Sequence, residues 1–335
     1  MKQMNFLLLL LGALLSACGS STQETTVSSA PVRQEQVAQP VGTTPEFNAD
    51  SAYYYTEQQV AFGPRVPNTK AHKQCADYLA ASLRRFGAKV YEQDCRLKAY
   101  DNTILEARNI IGSFNPENKK RIMLFAHWDT RPYADQEPDP ANHRKAIDGA
   151  DDGASGVGVL LEIARQLGQA APEVGVDVLF FDAEDYGTPD FVDDFKPDTW
   201  CLGTQFWAKN PHVAGYQADF GILLDMVGSR QATFYKERQS VMYAARYVEL
   251  VWETARQLGY GKYFINAPGG AITDDHQYVI SGRNIPCIDI INYDPESEQG
   301  FADYWHTLND GMQNIDRNTL KAVGQTVMQV VYSAK

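Results

Sequence analysis

Imidazoles and carboxylates recur in this sequence directly after apolar runs. His127 and Asp129 end "RIMLFAHWD", Glu184 and Asp185 follow "VDVLFFDA", and Asp225 ends "FGILLD". Asp152 sits in "DGADDGASG", Asp274 precedes Asp275 and His276 in "AITDDHQYV", and His306 lies beside Phe301 and Trp305 in "GFADYWHT". A cleft gathering His nitrogens with Asp or Glu oxygens suits Zn2+, which takes such ligands and keeps an open position when catalytic. It also suits proton transfer, because crowded acids cannot all ionise and must share protons.

Each position also has a plainer reading. Asp favours helix N-caps, so Asp152 ahead of a small-residue helix start is a capping candidate, as are Asp274 and Asp275 ahead of His276. For Asp275 the cap is the preferred reading. His276 is either an ordinary loop histidine or a pocket residue. Phe301 and Trp305 alone would be packing residues, but beside a ligand histidine they can wall a small pocket. Trp200 either walls the same cleft or belongs to the core of the helix that follows it. In "YGTPDFVDDFKPDTW", Asp190, Asp193, Asp194 and Asp198 offer oxygens to a structural Ca2+, although a solvated acidic loop is the favoured reading.

No short catalytic motif is present: there is no His-Glu-x-x-His, no Gly-x-Ser-x-Gly and no Gly-x-x-x-x-Gly-Lys-Ser/Thr. "GASGVG" at 153–158 faintly resembles a phosphate loop. Small residues packing a helix onto a sheet explain it better.

The elements that must position these groups follow from periodicity. Residues 69–86 space Cys75, Leu79, Leu83 and Phe86 at helical intervals, and Gly87 ends them. Two strand-like runs follow, "AKVYEQDCRL" and "ILEARNIIGSF", with no helix between them, so an antiparallel edge is expected. Then "RIMLFAHW", a helix over 153–169, "VDVLFFDA", a helix near 199–209, "FGILLDM", a helix over 241–259, "IPCIDIIN" and a helix from about Asn314 alternate. The pattern predicts a three-layer α/β fold with a twisted, mixed, mostly parallel sheet and helices on both faces. Ligands bind beyond the carboxyl ends of the strands in such sheets, where the acids and histidines collect.

Among 335 residues, 44% are hydrophobic and the net charge is -12. Core material is ample, and no basic stripe suggests nucleic acid as a partner. The start, "MKQMNFLLLLLGALLSAC", has a basic n-region, an apolar h-region and small residues at its exit, which read as an export signal over 1–17 and not as a membrane span. Its Leu-Ser-Ala-Cys ending resembles a bacterial lipobox, implying cleavage before Cys18 and lipid on that thiol; an ordinary secretory signal is the alternative. Residues 18–47 read as a flexible tether and 48–335 as one catalytic domain. Cys75, Cys95, Cys201 and Cys287 are either disulfide-bonded, as an oxidising compartment allows, or free buried thiols.

In order, "AHWD", "GADDGASGVGVLLEIA", "LFFDAED", "LLDMVGS", "TDDH" and "WHTLND" resemble the zinc-dependent exopeptidase family that contains aminopeptidases and the animal-type glutaminyl cyclases, over about Asn48 to the C-terminus. The aminopeptidases share two zinc ions among five ligands, whose positions here are His127, Asp152, Asp185, Asp225 and His306, with Glu184 as general base. The cyclases keep one zinc, on the counterparts of Asp152, Asp185 and His306. Glu184-Asp185 departs from the family's usual Glu-Glu pair, and its shorter carboxylate can still ligate. "TDDH" favours the cyclases, because aminopeptidases typically have Ser-Asp-His there. The resemblance therefore implies that Glu184, Asp225 and Asp274 form a proton relay and that Phe301 and Trp305 bind substrate; Trp200 is a further candidate for the substrate cleft, and His127, Asp129 and His276 are candidates to stand behind the ligands.

The expected protein is a glutaminyl-peptide cyclotransferase with one Zn2+. It would be a monomer, lipid-anchored in the bacterial cell envelope, facing the periplasm from the outer membrane, and acting on exported peptides and proteins with N-terminal glutamine. A two-zinc aminopeptidase and a non-catalytic binding lipoprotein are the alternatives; the latter predicts eroded ligands, whereas all five positions hold metal-binding types.

Overall fold

The computed structural model describes residues 44–194 and 196–335. The export signal, Cys18 and the tether up to residue 43 lie outside them.

Six strands form the central sheet: β1 (Lys89–Lys98), β2 (Ile104–Phe114), β3 (Arg121–His127), β4 (Gly175–Phe181), β5 (Phe220–Asp225) and β8 (Cys287–Ile291), in the order β1-β2-β4-β3-β5-β8. The pairs β3–β4, β3–β5 and β5–β8 are parallel, while β1–β2 and β2–β4 are antiparallel. The first two strands do make an antiparallel edge. Every residue of β3, β4, β5 and β8 is buried, which explains their near-continuous apolar runs: a sheet covered on both faces has no polar side to alternate with.

Alternation along β3 assigns the faces. Ile122, Leu124 and Ala126 join a large core with Ala52, Leu79, Val157, Val248 and Val327, which lie on helices α1 (Ala49–Val60), α2 (Lys70–Arg85), α3 (Ala154–Gln169), α5 (Arg238–Gln257) and α7 (Arg317–Ser333). Met123 and Phe125 join the opposite core with Trp207 on α4 (Leu202–Lys209) and Val279 on α6 (Asp275–Arg283). These are the three layers expected. The "GASGVG" stretch packs as expected too: a Cβ on Gly156 would lie 2.2 Å from Leu224 O on β5, and one on Gly158 would lie 2.1 Å from Thr56 Oγ1 on α1.

Four elements were not anticipated. Helix α1 is capped by Asn48, whose side chain accepts from Ser51 N, but its tyrosine-rich body hides the period. Helix α6 is short and weakly amphipathic, and β6 (Phe234–Lys236) and β7 (Phe264–Pro268) form a separate two-stranded parallel sheet. The domain boundary also shifts. Phe47, assigned to the tether on composition, is buried; its ring occupies space that a Cβ on Gly324 would need, and its N–H donates to Gln325 Oε1 at 2.8 Å. No helix among the described residues is long and apolar enough to cross a membrane.

Candidate active site

Strand β3 lies between β4 and β5, so the chain leaves it toward one side and later returns to the other. That reversal opens a crevice at the carboxyl ends of the strands. Two imidazoles meet there across one carboxylate: Asp152 Oδ1 lies 3.0 Å from His127 Nε2, and Asp152 Oδ2 lies 3.3 Å from His306 Nε2. His127 Nε2 also contacts Asp225 Oδ1 at 3.2 Å, and His306 Nε2 contacts Asp185 Oδ1 at 3.3 Å. Asp152, Glu184, Asp185, Asp225, Asp274 and His306 line one cavity of about 430 Å³ with Trp200, Phe301 and Trp305. Trp305 stacks on His306 at 3.8 Å and Phe301 lies 4.7 Å from Trp305. Trp200 runs parallel to the His306 ring at 6.0 Å, so it walls the cleft and is not a core residue of α4.

Local backbone explains how these groups are aimed. Asp152 does not cap α3: the helix begins after Gly153 with no side-chain cap, and the carboxylate faces the imidazoles instead. Gly153 has φ +92°, and a Cβ there would lie 2.8 Å from Asp129 O and 3.0 Å from His127 Cε1. Four non-glycine residues at the site, Ala183, Cys201, Met226 and His306, also adopt left-handed backbone, a conformation that costs roughly 1–3 kcal/mol each and persists only when neighbours enforce it. Asp129 is one enforcer, accepting from Glu184 N at 3.0 Å and Asp185 N at 3.2 Å. Asp310 does the same for the other loop, accepting from Asp151 N at 2.9 Å and Asp152 N at 3.1 Å.

Electrostatics divides the acids into two kinds. Asp152 is held well below the ordinary carboxylate range although burial opposes this, because His127 and His306 both contact it. Glu184 is pushed well above its ordinary value by burial, with Asp185 and Asp274 adding repulsion. Asp274 is pushed up likewise, by burial and then by Asp225 and Asp275. Oxygens of Glu184 and Asp274 and the Cys201 sulfur all lie within 4.8 Å of one another. Carboxyl groups crowded and buried in this way share protons, and a group so placed is suited to passing a proton back and forth.

Several readings of the loop before β8 are corrected here. Asp274, not Asp275, occupies the N-cap position of α6, its Oδ1 accepting from Asp275 N at 2.6 Å. Asp274 thus combines the cap position with a place in the cavity wall, and its second oxygen is buried without a hydrogen-bond partner among the described residues. His276 is in the first turn of α6 and not in a loop. It is fully buried outside the cavity wall, with Nε2 3.3 Å from Glu237 Oε2 and Nδ1 3.8 Å from Asp289 Oδ2.

The acidic segment disperses. Asp190 accepts from Gln136, Asp194 lies 3.5 Å from Lys196, and Asp198 accepts from Tyr278 at 3.2 Å; none of these, nor Asp193, joins a metal-sized group among the described residues. All four cysteines of the domain are free and buried. Cys201 is the one that matters to the site, its Sγ donating to Glu184 Oε1 at 3.2 Å.

Other site residues carry no local sequence signal. Arg131 donates from Nε to Asp135 Oδ1 at 2.7 Å and from Nη1 to Asp185 O at 3.0 Å, and its guanidinium lies 4.4 Å over the Trp200 ring. Asp135 Oδ1 in turn lies 3.6 Å from His306 Nδ1. Tyr304 donates to Asp151 Oδ2 at 2.9 Å. "DTRPYAD" could have suggested the Arg131–Asp135 pair through its spacing of four, but nothing local could join it to His306.

The donors fit zinc. Ligand atoms of Asp152, Asp185 and His306 lie within 4.8 Å of one another, and Asp185 Oδ2 is buried without a hydrogen-bond partner among the described residues. Two carboxylates, one imidazole nitrogen and an adjoining cavity make an open N/O site. His127, Asp152 and Asp225 form a second group of the same kind.

A three-layer fold with carboxylate-bridged imidazoles at the switch point of its sheet matches the architecture of solved Zn-dependent exopeptidases. The chain belongs to peptidase family M28, whose family model matches residues 109–331. It is 25% identical over 296 residues to the glutaminyl-peptide cyclotransferase of Bos taurus, covering 79% of this chain and 77% of that protein. Among solved structures, it is 72% identical to a Zn-dependent exopeptidase from Parabacteroides distasonis (TM-score 0.86, covering 87% of this chain and 99% of that one). It is 70% identical to a glutaminyl cyclase from Tannerella forsythia (TM-score 0.86, covering 87% and 100%).

Proposed function

We propose that this protein is a glutaminyl-peptide cyclotransferase that converts N-terminal glutamine to pyroglutamate with release of ammonia. The observation that carries the reading is Asp274 in the same cavity as Glu184 and Asp225, beside the aromatic wall of Trp200, Phe301 and Trp305. The 70% identity to a glutaminyl cyclase supports it.

Asp152, Asp185 and His306 would hold one Zn2+, which when bound supplies Lewis-acid polarisation of the substrate's γ-carbonyl. The aromatic walls hold the glutamine side chain folded back on its own α-amine, so that attack is intramolecular. The bond from the α-nitrogen to the γ-carbon forms and the bond to the amide nitrogen breaks. Glu184 takes the proton from the α-amine and returns it to the departing ammonia. Asp274 orients Glu184, and a proton shared between Asp274 and Asp225 keeps Asp225 from serving a second metal.

The group formed by His127, Asp152 and Asp225 is the feature a two-zinc aminopeptidase would use. Metal analysis of protein purified with added zinc and then dialysed separates the readings. One equivalent, with ammonia released from a Gln-initiated peptide, supports the cyclase. Two equivalents, with amino acids released from peptide N-termini, would overturn it.

The proposal extends to place and partners. The Leu-Ser-Ala-Cys ending supports a lipid anchor at Cys18 in the bacterial envelope, facing the periplasm, with exported polypeptides as substrates.

A further inference from the structure

A buried imidazole on the far side of the Glu184 turn has no role in the chemistry above. His72, on α2, is 4% exposed, and its Nε2 lies 2.9 Å from Asp182 Oδ1 and 2.8 Å from Asp182 Oδ2. Asp182 is fully buried and begins the turn that presents Glu184 and Asp185. Its Oδ1 accepts from Ala183 N at 2.7 Å and its Oδ2 from Arg108 N at 2.6 Å. The carboxylate therefore braces the left-handed Ala183 on one side and anchors it to β2 on the other.

The same ring reaches the neighbouring loop. It stacks on Trp128 at 4.4 Å with planes 21° apart, and Trp128 stands between His127 and Asp129 in sequence. Trp128 is itself fixed, its Nε1 donating to Arg108 O at 3.1 Å. One imidazole thus touches both loops of the site: through its nitrogen the turn carrying Glu184 and Asp185, and through its face the segment whose Asp129 receives the N–H groups of those two residues.

We infer that His72 is a positioning residue for the reaction, joined with Asp182 and Trp128 in a brace that sets the aim of Glu184 and Asp185 without touching substrate. The role assigned to Glu184 rests on the cyclase reading; the effect on Asp185 as a metal ligand does not. Burial disfavours charge on His72, but the Asp182 carboxylate outweighs it and holds the imidazole above its usual range. An imidazole nitrogen donating to a carboxylate makes a charge-assisted hydrogen bond, stronger than a neutral one. Without it, a fully buried carboxylate loses its counter-group and the strained turn loses its support.

Two variants test this. His72→Phe keeps a ring against Trp128 and removes the donor, whereas His72→Gln keeps a donor for Asp182. For His72→Phe, kcat per folded molecule should fall by roughly 10–100-fold with KM nearly unchanged, the scale expected when a catalytic group is displaced by about 1 Å. Zinc retention against a chelator should weaken by about 10-fold or more, as for other partners behind metal ligands. His72→Gln should recover most of both. The zinc measurement needs no substrate, so it still decides the brace if the wild type proves not to cyclise glutamine. Wild-type zinc retention and kcat per folded molecule in His72→Phe would overturn the inference, as would losses in His72→Gln equal to those in His72→Phe.

Discussion

Asp129→Asn probes the positioning of the site with the least change in shape. In the native protein both carboxylate oxygens are used, one by Glu184 N at 3.0 Å and one by Asp185 N at 3.2 Å. Asparagine has one acceptor oxygen and one donor nitrogen, so in either orientation one of these N–H groups faces another donor inside a buried site. Losing a hydrogen bond to a charged acceptor costs about 1.5–3 kcal/mol. At roughly 2 °C per kcal/mol for a domain of this size, Tm should fall by about 3–6 °C. The same free energy, if it appears as misplacement of Glu184, lowers kcat by about 10–100-fold, since each 1.4 kcal/mol is tenfold. KM should change little, because Asp129 does not line the cavity. The assay is steady-state ammonia release from a Gln-initiated peptide, normalised to folded protein, beside a thermal melt. If Tm stays within about 1 °C and kcat is unchanged, Asp129 does not hold the turn and the reasoning fails.

Three further outcomes are expected. Glu184→Gln should abolish turnover and keep its zinc, while Asp185→Ala should lose the metal; activity and metal analysis on both variants check the division of roles. Asp274→Asn should lower turnover by roughly 10²–10⁴-fold, the range for positioned acid-base groups, yet barely move Tm, because asparagine can still accept from Asp275 N as Asp274 Oδ1 does. A large fall in Tm with activity retained per folded molecule would return Asp274 to a purely capping role. Glu237 is drawn down from its ordinary 4.5 to about 2, because its contact with His276 and its hydrogen bonds from Gln239 N and Ser240 N outweigh burial. A depressed carboxyl stabilises the fold above its unfolded value. The stability advantage of wild type over Glu237→Gln should thus be full above about pH 4.5 and fade toward pH 2, measured by denaturant melts across that range.

What was legible in the sequence was what local pattern can encode. Runs such as "RIMLFAH" and "VDVLFFD" are apolar throughout because both faces of the sheet are covered, so strands and their ends could be placed, and with them His127, Glu184, Asp185 and Asp225. Asp274, and not the expected Asp275, caps α6; two adjacent aspartates favour the cap equally, so which of them takes it could not be read. Nor could the residues that brace the site. Asp310 meets Asp152 across 158 positions and His72 meets Asp182 across 110; these pairings exist only once the sheet has brought distant loops together. Phe47 ends a polar stretch, and composition alone cannot show that one aromatic there finds a slot against Gly324.

The central claim is cyclisation in preference to peptide-bond cleavage, and two peptides that differ only in their first residue test it most directly. With the zinc-loaded protein, the Gln-initiated peptide should release ammonia and keep its full length, with its N-terminus blocked as pyroglutamate, while the Leu-initiated peptide should remain intact. Free leucine from the second peptide, with no ammonia from the first, would contradict the account.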